Sequence, residues 1–249
     1  MSAHRGQRVG RRLLLAVLFI LAPLFGVLHA AESTPKVAVV AFGLFGDQGV
    51  FEREASAAAS IVASRFGNGG PVIVRANTRT GGQATIAGLD ASLRAAAAKM
   101  NGEVDILVLI LTSHGSREGL AVKAGSREEV LSPHELAPML ERTGIRRRVV
   151  IISACYSGVF VGALANPDTL VITAADSDHP SFGCEDEAKW TYFGDAFFNV
   201  ALRTAKTFED AFARARILVR IRELSHGFDP SNPQIGGGAN LRPLLVAHR

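Results

Sequence analysis

Two stretches of the sequence decide the fold: Asp105-Ile-Leu-Val-Leu-Ile-Leu-Thr112, which runs into Ser113-His114-Gly115, and Arg148-Val-Val-Ile-Ile-Ser153, which runs into Ala154-Cys155-Tyr156-Ser157-Gly158. Each begins as a short apolar run rich in branched side chains, which is typical of a strand buried on both faces of a parallel sheet. In such sheets, chemistry lies just beyond the carboxyl ends of the strands. One end carries a histidine and the other a cysteine, so the pattern predicts a nucleophile and its base on neighbouring strands.

The rest of the chain alternates between strand and helix patterns. Strands are predicted at 36–42, 71–76, 105–112, 148–153, 169–174 and 244–247, and helices at 51–66, 85–100, 133–143, 190–202 and 207–224. Strands separated by helical segments form right-handed βαβ units and a mostly parallel sheet with helices on both faces. The sequence therefore predicts an α/β fold, organised as one domain over residues 31–249.

The N-terminus has the pattern of a secretory signal peptide over residues 1–30. Four arginines precede an apolar stretch at 13–28, and the small residues Ala30 and Ala31 follow. The alternative is an uncleaved anchor helix, although the apolar stretch is short for a span of about 20 residues. The pattern predicts an exported protein, periplasmic or secreted, that meets the membrane only if the leader stays uncleaved.

Charge and cysteine content exclude several functions. The four leader arginines, with no acid among them, account for the whole formal net charge of +4, so nothing basic remains to favour nucleic acid as a partner. We find no metal-ligand spacing and expect neither a metal nor a cofactor.

The two cysteines, Cys155 and Cys184, suggest a disulfide in an exported chain. A disulfide would consume the residue at the strand end, so we expect two free thiols.

The surroundings of His114 and Cys155 favour catalysis over packing. A lone histidine more often lies on the surface or in the core, and a free cysteine is often inert packing. Here Gly115 lets the backbone approach a ligand closely, and small residues flank Cys155, as a tight turn requires. The backbone N–H groups of Gly115 and Cys155 are therefore candidates for an oxyanion hole.

These residues resemble the motifs of the legumain-type cysteine peptidases, peptidase family C13. The likeness begins with Leu111-Thr112-Ser113-His114-Gly115 and the stretch at 153–158, and it continues in order through 171–176, 181–184, 191–195 and 231–235. The last stretch is similar to bacterial members, and the whole covers most of residues 36–238. The resemblance implies a caspase-like, three-layer α/β/α sandwich with a mostly parallel sheet.

The resemblance also implies an activity. Members of the family hydrolyse peptide bonds, characteristically after asparagine and sometimes after aspartate, so a peptide or protein substrate is implied. His114 would be the general base, and Cys155 the nucleophile that forms an acyl-enzyme. Two alternatives stay open: an amine could resolve the same acyl-enzyme, giving a transpeptidase or transamidase, or the fold could serve as a non-catalytic binding module.

Four residues are candidates for the pocket that holds the substrate side chain before the cut: Arg53, Ser153, Ser181 and Asp195. An amide side chain there needs both donors and acceptors. The resemblance assigns Asp195 and Ser181 to the pocket, and Arg53 through a less similar loop. The alternative for Asp195 is an aspartate at a helix N-terminus that interacts with the helix dipole. The alternative for Arg53 is an exposed charge on a helix. Ser153 stands where legumains carry glutamate, which removes a charge from the pocket floor and argues against strict asparagine specificity.

Overall fold

The computed structural model of the protein describes residues 1–3 and 34–248, so the predicted signal peptide lies almost entirely outside the described residues. Residues 34–248 form a seven-stranded sheet, a separate two-stranded hairpin and helices on both faces of the sheet. No helix in the described part of the chain combines the length and the apolar character that a membrane crossing needs.

Strands and helices alternate along much of the chain. The strands are β1 Val37–Gly43, β2 Val72–Thr78, β3 Gly81–Gly82, β4 Ile106–Thr112, β5 Leu120–Ala124, β6 Arg127–Leu131, β7 Arg147–Ser153, β8 Thr169–Thr173 and β9 Gln234–Gly237. The helices are α1 Gly49–Phe66, α2 Ile86–Ala97, α3 Pro133–Arg142, α4 Val161–Leu164, α5 Tyr192–Gly194 and α6 Phe208–Ser225, with a 3-10 turn at Ser157–Phe160 and a π-helix at Asp195–Ala201.

The two strands that decide the fold lie side by side in the middle of the sheet. The strand order is β3-β2-β1-β4-β7-β8-β9, with β3 and β9 antiparallel at the two edges and the strands between them parallel. Strands β4 and β7 pair over their full length, from Ile106 opposite Arg147 to Thr112 opposite Ser153. Their carboxyl ends are therefore level, which brings the two predicted functional motifs together.

Each face of the sheet is covered by helices, which gives three layers. Along β4 every side chain is buried, and alternate residues belong to two separate apolar clusters. One cluster includes side chains of α1 and α6, and the other includes side chains of α2 and α3. Burial on both faces explains why β4 is an uninterrupted apolar run. The predicted three-layer α/β/α sandwich with a mostly parallel sheet is confirmed.

The predicted strand at 244–247 is wrong, because the last strand is β9, antiparallel to β8. It lies in a stretch whose glycines are typical of a loop. Gly237 has a φ of +75°, and a Cβ atom there would overlap the backbone of Asn166 and Thr169. Only glycine permits this close approach. The same residue type favours a loop in sequence analysis, which is why β9 is not predicted.

Other elements also differ from the sequence prediction. The hairpin of β5 and β6 is not predicted, because β6 is mostly exposed and carries charged residues. The single helix predicted at 190–202 is instead the short α5 followed by a π-helix. By contrast, α3 begins as predicted, with Ser132 and Glu135 forming a capping box.

Candidate active site

His114 follows β4 and is held by three side chains from the loop and helix after β1. Its ring makes edge-to-face contacts with Phe45 and Phe51, at 4.7 and 5.1 Å between centroids. Its Nε2 is hydrogen-bonded to the side-chain oxygen of Gln48, the N-cap residue of α1. An amide oxygen only accepts, so Nε2 carries the proton and the lone pair is on Nδ1. The imidazole is thus fixed in the tautomer whose Nδ1 can take up a proton.

Burial lowers the pKa of His114 below its ordinary value of 6.5. The cause is desolvation, which disfavours the charged imidazolium. His114 is therefore neutral at neutral pH, which is the state that a general base requires.

Cys155 lies on a tight turn after β7. The next residue, Tyr156, has a left-handed backbone with a φ of 54°, and its N–H donates to the carbonyl of His179 at 3.0 Å. The sulfur contacts Ser181, whose backbone N–H donates to it at 3.3 Å and whose carbonyl accepts the thiol hydrogen bond at 3.3 Å. The side chain is half-buried, so the turn presents the sulfur at the rim of the sheet.

The two turns touch through Gly115. A Cβ atom on this residue would overlap the carbonyl oxygen of Cys155 and approach the side chain of Ala154. Above the paired ends of β4 and β7, the N–H of Ser113 donates to the carbonyl of Ser153 at 3.2 Å. The turns that carry the histidine and the cysteine are therefore packed against each other.

Within the described residues, no hydrogen bond joins the imidazole of His114 to the sulfur of Cys155, since their partners are Gln48 and Ser181. Catalytic contacts of this kind often tighten only when substrate is bound. The backbone N–H groups of Gly115 and Cys155 likewise have no hydrogen-bond partner in residues 34–248. Both are therefore free to donate to a ligand, and their role as an oxyanion hole remains a prediction.

A polar layer of four side chains lies beneath the two turns: Glu54, Thr112, Ser153 and Thr191. Glu54 accepts the hydroxyl of Thr112 at 2.9 Å and the backbone N–H of Thr191 at 2.8 Å. The hydroxyls of Ser153 and Thr191 are 3.0 Å apart. All four side chains are buried. Desolvation raises the pKa of the Glu54 carboxyl above its ordinary 4.5, and hydrogen bonds from Ser153, Thr191 and Thr112 offset only part of the rise.

The four predicted pocket residues do not converge on one place. Ser181 contacts the sulfur, whereas Ser153 lies in the polar layer and is 1% exposed. Arg53 donates to the carbonyls of the segment at 186–188. The carboxylate of Asp195 accepts from Asn199 at 2.8 Å and pairs with Arg222 at 2.7 Å. The pocket roles of all four residues, including Ser181, remain predictions.

Cys184 is three residues beyond Ser181 and is also a free thiol. Burial raises the pKa of its thiol to about 12. At neutral pH this sulfur is protonated and a poor nucleophile, because the thiolate is the reactive form. Of the two cysteines, Cys155 is therefore the candidate nucleophile. In the described part of the chain, no group of three or more His, Cys, Asp or Glu residues could hold a metal ion.

Two residues that the sequence analysis missed are central to this site: Gln48 and Glu54. Gln48 precedes α1 in a glycine-rich loop and gives no local signal of its role. Glu54 does give one, because it falls at helical spacing between Phe51 and Ala58 on the buried side of α1. A charged residue inside an apolar stripe marks a buried polar contact.

Comparisons with known proteins agree with this architecture. The sequence model described as the Peptidase C13 family matches residues 83–236. The fold is similar to the crystal structure of caspase-1 from Spodoptera frugiperda, with a TM-score of 0.55 and 13% identity over 83% of this chain and 87% of that chain. It is also similar to the structure of pro-sf-caspase-1, with a TM-score of 0.53 and 14% identity over 82% of this chain and 90% of that chain.

No curated protein matches the chain as a relative. At the identities above, the likeness to the caspase structures shows the fold alone. The family match, in contrast, spans more than half of the chain and includes both strand-end motifs. This chain therefore belongs to the peptidase C13 family of legumain-like cysteine peptidases.

Proposed function

We propose that this protein is a cysteine-type endopeptidase that uses His114 as general base and Cys155 as nucleophile, and that it cleaves after asparagine or aspartate. The observation that carries the proposal is the contact between the two turns at Gly115 and Cys155. It brings a neutral imidazole, a half-buried thiol and two unpartnered N–H groups to one rim of the sheet. These are the parts that acyl transfer to sulfur requires.

The reaction follows from these parts. Nδ1 of His114 takes the thiol proton while the sulfur of Cys155 attacks the carbonyl carbon of the scissile peptide bond. The N–H groups of Gly115 and Cys155 donate to the oxyanion that develops. His114 then gives its proton to the leaving amine, and a thioester remains on Cys155. A water molecule, deprotonated by His114, hydrolyses the thioester and restores the free thiol.

The substrate is proposed to be a peptide or protein met after export. The signal-peptide pattern of residues 1–30 supports this location. Ser181 supports a pocket beside the nucleophile, because its backbone and hydroxyl both face the sulfur. Preference for asparagine or aspartate rests on the family resemblance, and the absence of a glutamate at position 153 favours a broader choice than strict asparagine.

The test is a cleavage profile of the purified protein on a peptide library, with matched variants. Cys155→Ala and His114→Ala should reduce hydrolysis to background, whereas Cys184→Ser should retain it. Cuts after asparagine or aspartate are the expected products, identified by mass. Full hydrolysis by Cys155→Ala would overturn the proposal. Products joined to an added amine, with little hydrolysis, would show a transpeptidase instead.

A further inference from the structure

Glu54 is a carboxylic acid with no exposed surface, placed where the core of the domain meets the active site. It lies on the first half of α1, among alanine and valine side chains that pack against the sheet. Thr112 and Ser153 are the last residues of β4 and β7 and continue the rows of side chains that face α1. The polar layer is therefore the last layer of the core before the catalytic turns.

The contacts of Glu54 link both catalytic strands to a third segment. One carboxylate oxygen accepts from Thr112, two residues before His114, and the other accepts from the N–H of Thr191. The hydroxyl of Thr191 lies 3.0 Å from that of Ser153, two residues before Cys155. A single carboxyl thus ties together the ends of two strands that carry the nucleophile and its base.

The surroundings of Glu54 are adapted to the carboxyl. Gly194 packs directly against it, and a Cβ atom there would overlap the carboxylate oxygen. If only packing mattered, an apolar side chain could fill the same volume. Burying a carboxyl is unfavourable unless its hydrogen bonds compensate for the lost hydration. The hydrogen bonds made by the acid, rather than its volume, therefore distinguish it from an ordinary core residue.

The geometry points to Glu54 as a positioning residue of the active site, whose carboxyl fixes the placement of the strand ends that carry His114 and Cys155. It does not touch substrate, because it is buried beneath the turns. It acts through Thr112, Ser153 and Thr191. This inference rests on the proposed peptidase function, in which small displacements of the reacting groups have large effects on rate.

The experiment compares three variants of the full chain: Glu54→Leu, Glu54→Gln and Asp105→Leu. Asp105 is the matched control, a buried carboxyl directly before β4 and at the opposite end of that strand from His114; it accepts the N–H of Lys36 at 2.8 Å and of Asn101 at 2.7 Å. The measurements are kcat and KM on a cleaved peptide, the rate of Cys155 alkylation by iodoacetamide, and Tm.

We expect Glu54→Leu to lower kcat by at least about tenfold with little change in KM, and to change the alkylation rate of Cys155. Asp105→Leu should lower Tm by a similar or larger amount but keep kcat within about twofold, because it is far from the turns. Glu54→Gln keeps the shape and one acceptor, so it should recover part of the lost kcat. Equal losses of kcat in Glu54→Leu and Asp105→Leu at equal losses of Tm would overturn the inference.

The alkylation rate separates this inference from the proposed function. If the wild-type protein cleaves no peptide but Glu54→Leu still changes Cys155 alkylation, the proposed peptidase activity fails and the positioning role stands. If Glu54→Leu does not fold, Thr112→Val removes one hydrogen bond at nearly constant volume. That variant should lower kcat at least about threefold, and an unchanged kcat would overturn the inference.

Discussion

The backbone of Gly115 rests on the carbonyl oxygen of Cys155, so closely that the glycine leaves no room for a side chain. In Gly115→Ala, the added methyl group must push apart the two turns that carry His114 and Cys155. We expect kcat/KM to fall by about 100-fold and the free energy of unfolding by about 1–3 kcal/mol. Steady-state kinetics and chemical denaturation measure these effects. Near-wild-type activity would mean that the two turns move independently.

Gln48 fixes the tautomer of His114 from the start of α1, which leads to a second prediction. Gln48→Glu places a carboxylate against the imidazole, and an adjacent negative charge raises the pKa of a histidine. The acid limb of the kcat/KM profile should therefore move to higher pH. Gln48→Leu removes the hydrogen bond without adding charge and should lower kcat by about tenfold. An unshifted acid limb in Gln48→Glu would show that this contact is not made in solution.

The acid limb of the wild-type kcat/KM profile tests the assignment of His114 as a buried base. Burial lowers the pKa of His114 below 6.5, and a base must be neutral to act. Activity should therefore persist as the pH falls through 6.5 and decline only as it passes the lowered pKa. A kcat/KM profile that bends above pH 6.5 would contradict the assignment of His114 as a buried base.

Glu54 predicts a pH dependence of stability with the opposite sign to that of most carboxylates. Its folded-state pKa lies above the ordinary 4.5, so the folded protein binds more protons than the unfolded chain over the interval between them. Its contribution to stability is full below pH 4.5 and is lost as the pH rises through the raised pKa. The Tm of Glu54→Gln relative to wild type should therefore increase from pH 4.5 towards neutrality. A difference that stays constant with pH would show that Glu54 titrates normally.

The two thiols should differ sharply in reactivity. Burial holds the pKa of Cys184 at about 12, so very little thiolate forms there at pH 7.5. Limited treatment with iodoacetamide should add one label, on Cys155, and abolish hydrolysis. Peptide mass mapping locates the label. Preferential labelling of Cys184 would contradict the burial of that side chain.

The sequence was sufficient for the parts of the site that depend on local pattern. The apolar runs at 105–112 and 148–153 predicted β4 and β7, and the separation of His114 and Cys155 allowed one crossover between adjacent strands. The structure pairs these strands along their full length. The small residues beside Cys155 correctly indicated a tight turn, because a turn restricts the size of its own side chains.

The remaining parts depend on partners that are distant in the sequence. Glu54 meets Thr112 and Thr191 only because the first half of α1 packs beside the end of β4 and the segment that carries Thr191. The guanidinium of Arg53 lies on backbone carbonyls at 186–188, and carbonyl groups are common to all residue types. No pattern in the sequence identifies such acceptors, so the contacts of Arg53 could not be read from it.

The position of β4 and β7 at the centre of the sheet has a consequence for how the enzyme is inactivated. Three strands lie on one side of this pair and two on the other. Backbone amides in such central strands exchange with solvent mainly through global opening of the domain. The turns that carry His114 and Cys155 directly follow these strands, so heat or denaturant should abolish activity together with the tertiary structure rather than before it.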